Sequence, residues 1–487
     1  MAKDYLSIRI ETADFDATGL QLHRLSGREA ISELFEYRLE VVKFGEALPL
    51  DDVVGCNVAI VYERAEQEVR RVHGMIASAD DHYATEDERF SYTFTVVPRA
   101  HRMTLVETFE IYMDLSVPEI IEKKFALVDL ASPGIDYELR LSGQYPKREF
   151  VVQYRETDLN FVSRLAEHLG ISFFFEHHDG QDRMVFTDDA TGFHDIVGDD
   201  PQVTYHRRGD ETGAFEWNTT RQLVPRVYVC RDYNYRTPTV ELQSSHQLET
   251  GDAGAVIGYG GHFKDGQEGD KLARVRAEES ESRRTVHRGR SDVTAMSAGA
   301  VFELVGHPQV EGRHLIVELE QEHSQAVGTG DAAGDERTYL NRFRAIDASI
   351  NYRPPRRATI PRIYGVITGL VETDAQGSVG KYAKIDEEGR YTVKFLFDTA
   401  PPGESKASRP VRRIQPTAGP NYGMHFPLRP GIEVLITFID GDPDRPIIVG
   451  AVPNPVTPTP VDAGISTKNR IRTESGVLFE IEDGAGL

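Results

Sequence analysis

Cysteine, tryptophan and net positive charge are all scarce in this chain. Its 487 residues include two cysteines and one tryptophan. The cysteines, Cys56 and Cys230, lie far apart, which excludes a disulfide framework and any paired zinc-ligand spacing. Both sit in apolar, strand-like runs, VVGCNVAIVY and VPRVYVCRDY, and are expected as small buried hydrophobes in a protein that folds in a reducing cytoplasm. Lysine and arginine number 55 against 78 acidic residues, a net charge of −23. Phosphate backbones repel such a chain, so nucleic acid is not an expected partner. Nearly all of the excess acid lies before Pro354, where it keeps a large surface soluble. No apolar run is long enough to span a bilayer, and the start, MAKDYLSIRIETAD, has no apolar signal core. The expectation is a protein made in the cytoplasm that, if it leaves the cell, does so without a signal peptide.

Motifs that carry chemistry are also missing. Gly377 to Tyr382 contains a Gly-Lys pair, but Tyr382 stands where a phosphate loop needs Ser or Thr to hold magnesium. Ala295 to Gly299 lacks the first glycine of a nucleophile elbow. Glu176-His177-His178-Asp179 is the richest metal-like cluster, yet adjacent strand residues point to opposite faces, so the two histidines cannot easily share an ion. Carboxylate pairs for glycoside cleavage cannot be picked out, because acids are everywhere. No catalytic, cofactor-binding or metal-ligating residue is assigned, and no cofactor is expected.

What is present is β-structure in short runs. Tyr5 to Glu11, Phe35 to Val42, Val58 to Tyr62, Val69 to Ala77 and Arg89 to Val97 alternate like strands of an antiparallel barrel or sandwich. Val117 to Leu127 carries apolar residues at helical spacing, with Pro118 in the tolerant first turn. Thr157 to Gly170 is a second helix: Thr157 or Asp158 can cap it, Leu159, Val162, Leu165, Ala166 and Leu169 form its stripe, and Gly170 ends it. The strand Ile171 to Glu176 follows. From Val224 to Arg353 short strands return, around a charged stretch, Lys271 to Arg290, expected as a solvated helix followed by a loop. Three pairs of segments look alike: Tyr37–Val41 with Val301–Val305, Val72–Ala79 with His314–Glu320, and Glu88–Phe94 with Glu336–Phe343. Tyr352 to Arg357 is a proline-rich joint. At this length more than one core is needed, and three domains are a fair prior.

Beyond the joint, Tyr391–Phe397, Ile432–Ile439 and Ile447–Val452 read as barrel strands, the last two connected by the turn Asp440 to Pro446. These two are apolar on both faces, so something besides their own core covers them, most simply another copy of the chain. Pro455 to Pro460 is extended. Near the end Ile471 alternates with Thr473, and Val477, Phe479 and Ile481 share a face.

The segment from Gly389 to Asn454 resembles the OB-fold of VgrG, the spike of the type VI secretion system, and more distantly the spikes of contractile phage tails. The matching residues are Arg412, Ala418-Gly419, Gly423, Phe426, Arg429, Gly431, Glu433-Val434, Phe438, Gly441-Asp442-Pro443, Arg445-Pro446, Gly450 and Asn454; Leu428-Arg429 departs from the family's Pro-Arg. A second match covers Gln153-Tyr154, Glu156-Thr157-Asp158, Phe161, Arg164-Leu165 and Gly170.

The resemblance implies a mainly β chain with minor α: duplicated β-barrels of a phage-tail-hub-like region, an OB-fold, and the start of a trimeric β-helical needle. The implied domains are a first hub barrel (1–105), an α+β hub insertion (106–220), a second hub barrel with a helical insertion (221–355), the OB-fold (356–455), and a linker with the needle's start (456–487). The family's needle runs on for many more residues, so the resemblance implies a chain cut short at Leu487. It further implies a non-enzymatic homotrimer whose six barrels match the six-fold Hcp tube ring, with baseplate proteins as further partners. A PAAR tip protein and effectors belong at the needle end. The machine would translocate the chain outside or into a target cell. The alternatives are the spike of an extracellular contractile injection particle or phage tail, and a spike scaffold carrying a cell-wall hydrolase. A lysozyme-like insertion has no room in residues 455–465.

Overall fold

In the computed structural model, residues 6–82, 89–196, 201–208, 211–328, 337–372, 383, 385–398 and 410–484 are described. Two compact units emerge, and neither is contiguous in sequence. One gathers Met1–Val106, Val117–Tyr145 and Thr157–Thr359; the other gathers Glu107–Ser116, Pro146–Glu156 and Ile360–Leu487.

The first unit is built on a 13-stranded sheet. Its principal strands are β1 (Leu6–Glu11), β2 (Leu20–Ala30), β3 (Glu36–Lys43), β4 (Asn57–Arg64), β5 (Gln67–His82), β6 (Phe90–Val97), β7 (Ala214–Arg221), β8 (Thr285–Ser291), β9 (Ala300–Val305), β10 (Gly312–Gln325) and β11 (Arg337–Asp347). The sheet contains the same pattern twice. In space β2-β3-β6-β5-β4 are neighbours, and so are β7-β8-β11-β10-β9. Both copies carry a bulge at the same place, between Ile76 and Ser78 in β5 and between Ile316 and Glu318 in β10. A bulge inserts one unpaired residue and sharpens the local twist, so its recurrence marks a shared architecture.

This topology corrects one sequence match. Val72–Ala79 and His314–Glu320 lie on equivalent strands, as do Phe90–Phe94 and Arg337–Phe343; Glu88 and Glu336 fall outside the described residues. Tyr37–Val41 and Val301–Val305 do not correspond. The counterpart of β3 is β8, and that of β9 is β4. Amphipathic strands share one alternation, so a five-residue match cannot say which strand is which.

Two further elements attach to this unit. Helices α1 (Val117–Leu127) and α2 (Asp158–Leu169) accompany a small sheet of Ser172–His178, Gln181–Thr187 and Tyr137–Arg140. Both helices have the bounds their periodicity predicts. Thr157 is the cap, its hydroxyl accepting the Asn160 amide, and Gly170 closes α2 at φ +74°. Helix α3 (Gly266–Arg284) covers one face of a second small sheet, Leu242–Gln247, Val227–Asp232 and Ala255–Tyr259. It begins before the charged stretch, where the Asp265 carboxylate caps the Glu268 amide. It is not a solvated helix: Leu272, Ala273, Val275 and Ala277 are buried, and the Arg276–Glu279 ion pair is buried with them. The expected loop after it is β8. Charged side chains with long apolar stems hide the packed face from a simple polarity reading.

The second unit holds a four-stranded sheet in the order Val393–Phe395, Ile367–Val371, Glu433–Phe438, Pro446–Ala451. Two strands from far earlier in the chain, Glu107–Tyr112 and Val151–Thr157, pair with each other. Ile111 and Val152 from this pair enter the core formed by Tyr391, Val393, Phe395, Val434, Ile436 and Ile448. The turn after Phe438 locks them in place. Asp440 and Gly441 take left-handed conformations there, and the Asp444 carboxylate accepts the Val152 amide at 2.7 Å. The strand Glu433–Phe438 is buried on one face only, with Leu435 half-buried on the other, and Val449 of the next strand is 40% exposed.

Cys230 is buried in its strand as expected, but Cys56 is only half-buried. Cys56 sits in the turn before β4, its thiol donating to the Asp52 carbonyl at 3.1 Å.

Candidate assembly surfaces

Two of the segments nearest to chemical motifs take part in packing and hydrogen bonding. His177 is half-buried and its Nδ1 accepts the His73 amide at 3.1 Å, while the neighbouring His178 side chain is 56% exposed. Burial raises the Glu176 carboxyl, but hydrogen bonds from Arg140 and Arg183 overcome that and hold it at about 2. The Ala295–Gly299 segment supplies backbone to a buried polar cluster: the Met296 carbonyl accepts from Arg70 at 2.7 Å, and the Ala298 amide donates to Glu29. The Gly377–Tyr382 segment lies outside the described residues.

That polar cluster sits where the two repeats meet. Strand β2 pairs antiparallel with the end of β10, Arg28 opposite Glu320. Glu29 on β2 and Arg70 on β5 form a buried ion pair, and the Gln321 amide donates to both Glu29 (2.9 Å) and the Tyr37 hydroxyl (3.0 Å). The Gln321 carbonyl accepts from Tyr62 and Tyr339, each at 3.1 Å. Burial pushes the Tyr339 phenol up to about 12, so it stays a neutral donor. Buried polar groups satisfied this fully fix one register at the joint. Sequence reading missed this cluster and strand β2 itself; the usable signal was the alternation of Leu20, Leu22 and His23 to Ala30, which begins after a weak turn.

Among the edges that no strand covers in this sheet, within the described residues, are two long segments. Strand β7 pairs only with β8 over Glu216–Arg221. The outer half of β5, Ser78–His82, pairs only with β6. Side chains on both faces are exposed at Asn218–Arg221 and at Asp80–His82. Open edges with exposed backbone are sites for adding a strand.

The second unit exposes apolar side chains. Tyr364 is 85% exposed, Tyr422 67% and Val449 40%. The hairpin of Lys468–Arg472 and Leu478–Glu482 pairs Ile471 with Phe479, and Ile481 shares their face. Phe479 is 59% and Ile481 50% exposed, although cross-strand charges at Lys468 and Glu480 meet at 2.8 Å. A lone two-stranded hairpin is marginal in water, and contiguous exposed apolar surface marks an interaction site.

Residues 28–327 match the family described as Phage tail baseplate hub (GPD). Residues 376–452 match the Type VI secretion system/phage-baseplate injector OB domain. The type VI secretion system spike protein VgrG1b of Pseudomonas aeruginosa is 30% identical over 465 residues, which is 93% of this chain and 61% of that protein. VgrG1a of the same organism is 31% identical over 447 residues, 89% of this chain and 68% of its own length. The chain thus spans about 61% of the first of these relatives. Among solved structures, an Escherichia coli component of the type VI secretion system, described as similar to the T4 bacteriophage tail proteins gp27 and gp5, aligns with a TM-score of 0.67. It is 25% identical, and the match covers 91% of this chain and all of that one. A duplicated hub sheet followed by an OB-fold, matched over this much of its length, places the chain in the VgrG family of type VI secretion spike proteins.

Proposed function

We propose that the chain is the hub and spike base of a type VI secretion machine, acting as a homotrimer that caps the Hcp tube and is driven outward when the sheath contracts. The observation that carries this reading is the duplicated five-strand pattern. A three-fold particle with two such repeats per chain offers six similar modules to a six-fold tube ring, which three unlike modules could not do. The exposed apolar face of the Lys468–Glu482 hairpin supports burial between chains at the spike end. The hub end faces tube and baseplate; a PAAR tip protein and effectors attach at the needle end.

The work is mechanical. Strand faces buried between chains make a stiff shaft, and each sheet edge paired to a neighbour removes the free edge at which a sheet would peel. The chain itself hydrolyses nothing; contraction supplies the energy. Light scattering on a sizing column tests the assembly, with a mass of three times 54.6 kDa expected. A stable monomer, or release of fragments from peptidoglycan by the purified chain, would refute the reading.

A further inference from the structure

The two repeats share a ladder, and one stretch of it differs in charge. In the first repeat Arg38 of β3 lies opposite Thr95 of β6, and Glu40 opposite Thr93. The equivalent rows, aligned by the common bulge, put Arg288 of β8 opposite Arg344 of β11, and Arg290 opposite Arg342. Four arginines thus form a two-by-two block. The row between them, Gly289 with Phe343, faces the core, where a Cβ on Gly289 would meet the Phe343 ring, so by alternation the arginines face away from it. Like charges directly opposite one another weaken a ladder. The first repeat builds the same strands with threonines at two of these positions, so the fold itself does not demand the block.

Within the chain the block is only partly neutralised. Arg288 donates to the Thr220 hydroxyl at 3.2 Å and meets no carboxylate among the described residues. Arg290 stands 3.5 Å from Glu216, and its Nε is buried without a partner among the described residues. Arg342 donates to Glu322 at 2.9 Å, and Arg344 lies 3.3 Å from Glu318. A guanidinium offers five donors, so each keeps several for something else. The block lines a concavity of about 540 Å³ together with Glu216, Glu318 and Glu320 of the flanking strands β7 and β10.

The chain itself shows what such arginines hold. The Glu318 carboxylate lies between Arg28 of β2, at 2.8 Å, and Arg344, at 3.3 Å. The pairs Arg288/Arg344 and Arg290/Arg342 are two residues apart along their strands, about 6.8 Å. Side chains two residues apart on any extended segment share that spacing and one face. We propose that this face binds an extended acidic segment of a partner protein through a Glu-x-Glu or Asp-x-Asp motif, one carboxylate forked between the arginines of each pair. Phosphate chains match it less well, because the flanking glutamates and the chain's net charge of −23 oppose a polyanion charged at every unit. The inference goes beyond the mechanical reading, and its test does not depend on that reading.

The test is fluorescence anisotropy on the full chain at low salt, with a fluorescein-labelled peptide carrying one Glu-Val-Glu in a threonine-rich frame. Expected is saturable binding, weakened about tenfold when the second glutamate moves one position on, to Glu-Val-Val-Glu, and so turns to the other face. This comparison uses the unaltered chain, so misfolding of a variant cannot decide it. The chain with Arg342→Thr and Arg344→Thr, the residues of the first repeat, should also bind about tenfold more weakly. Arg24→Ser with Arg313→Ser removes equal charge elsewhere and should leave binding intact. Equal binding of the two peptides, or equal binding by the two doubly substituted chains, would reduce the contact to general charge attraction and overturn the proposal. Tripolyphosphate bound where neither peptide binds would overturn the acidic segment in favour of a phosphate ligand. Absence of binding by every probe would overturn the site.

Discussion

Lys124 of α1 and Asp158 of α2 form an ion pair of 2.8 Å, and neither side chain has any exposed surface. The Lys124 ammonium also lies 5.9 Å from the centre of the Phe161 ring. The pair gives a physical role to two residues of the Glu156–Phe161 match: Asp158 anchors the helix that Thr157 caps. Removing one partner strands the other charge in a dry site. Lys124→Met or Asp158→Asn should each cost about 3–5 kcal/mol in denaturant unfolding. The double variant Lys124→Met with Asp158→Leu should recover most of that loss. Equal loss in single and double variants would show that packing, and not the stranded charge, sets the cost.

The cap and the stop of α2 should differ in severity. Thr157→Ala loses one amide acceptor and should cost about 1 kcal/mol. Gly170→Ala should cost more, because its left-handed φ disfavours a side chain and an added Cβ would lie 2.6 Å from Val275. Melting temperatures of the two variants, compared side by side, check the order.

Stability should fall on mild acidification. His314 lies in the second repeat's core, its ring centre 5.0 Å from that of His287 and 5.1 Å from Trp217, and neither ring nitrogen has a partner among the described residues. Burial, and then His287, hold it down from 6.5 to about 4, although Asp347 across the ladder pulls the other way. The unfolded chain therefore takes up a proton between those values that the folded chain refuses. Stability contributed by neutral His314 is complete above about 6.5, declines as pH falls, and levels off below about 4. Replacing it with leucine should flatten the melting-temperature profile over that window; an unchanged slope would show that other groups dominate.

The second unit should depend on residues that lie outside its C-terminal stretch. Ile111→Ala should destabilise it by about 2–5 kcal/mol. Asp444→Ala should cost about 1–3 kcal/mol by leaving the Val152 amide without its acceptor. Protease cleavage within 360–484, followed over time, reads both effects, and a cleavage rate unchanged in both variants would dismiss the dependence.

Local order was largely legible. Helices α1 and α2 follow from apolar spacing, a capping threonine and a closing glycine, all within a few residues of one another. The turn after Phe438 follows from Asp, Gly and Pro. Long-range placement was not legible from local chemistry. Nothing near Ile111 or Val152 says which core they enter, and nothing near Glu29 announces Arg70 or Gln321. Helix α3 was misjudged because its arginines and glutamates outnumber its apolar residues, yet it buries Ala273 and Ala277 completely. Cys56 shows the same limit: an apolar neighbourhood in sequence became a half-open turn in space.

The pairing of Arg28 with Glu320 also governs when the hub can form. Strand β2 leaves the ribosome 292 residues before its partner on β10 exists, as the numbering of the pair requires. At ordinary synthesis speeds that is a wait of roughly 15–60 s. Through that interval β2 has β3 on one side and nothing on the other, and Glu29 lacks the Gln321 that completes its burial. Sheets assembled from such distant partners fold slowly and invite wrong pairings. The first repeat therefore gains the neighbour of its β2 edge only once Glu318–Ser324 have been made.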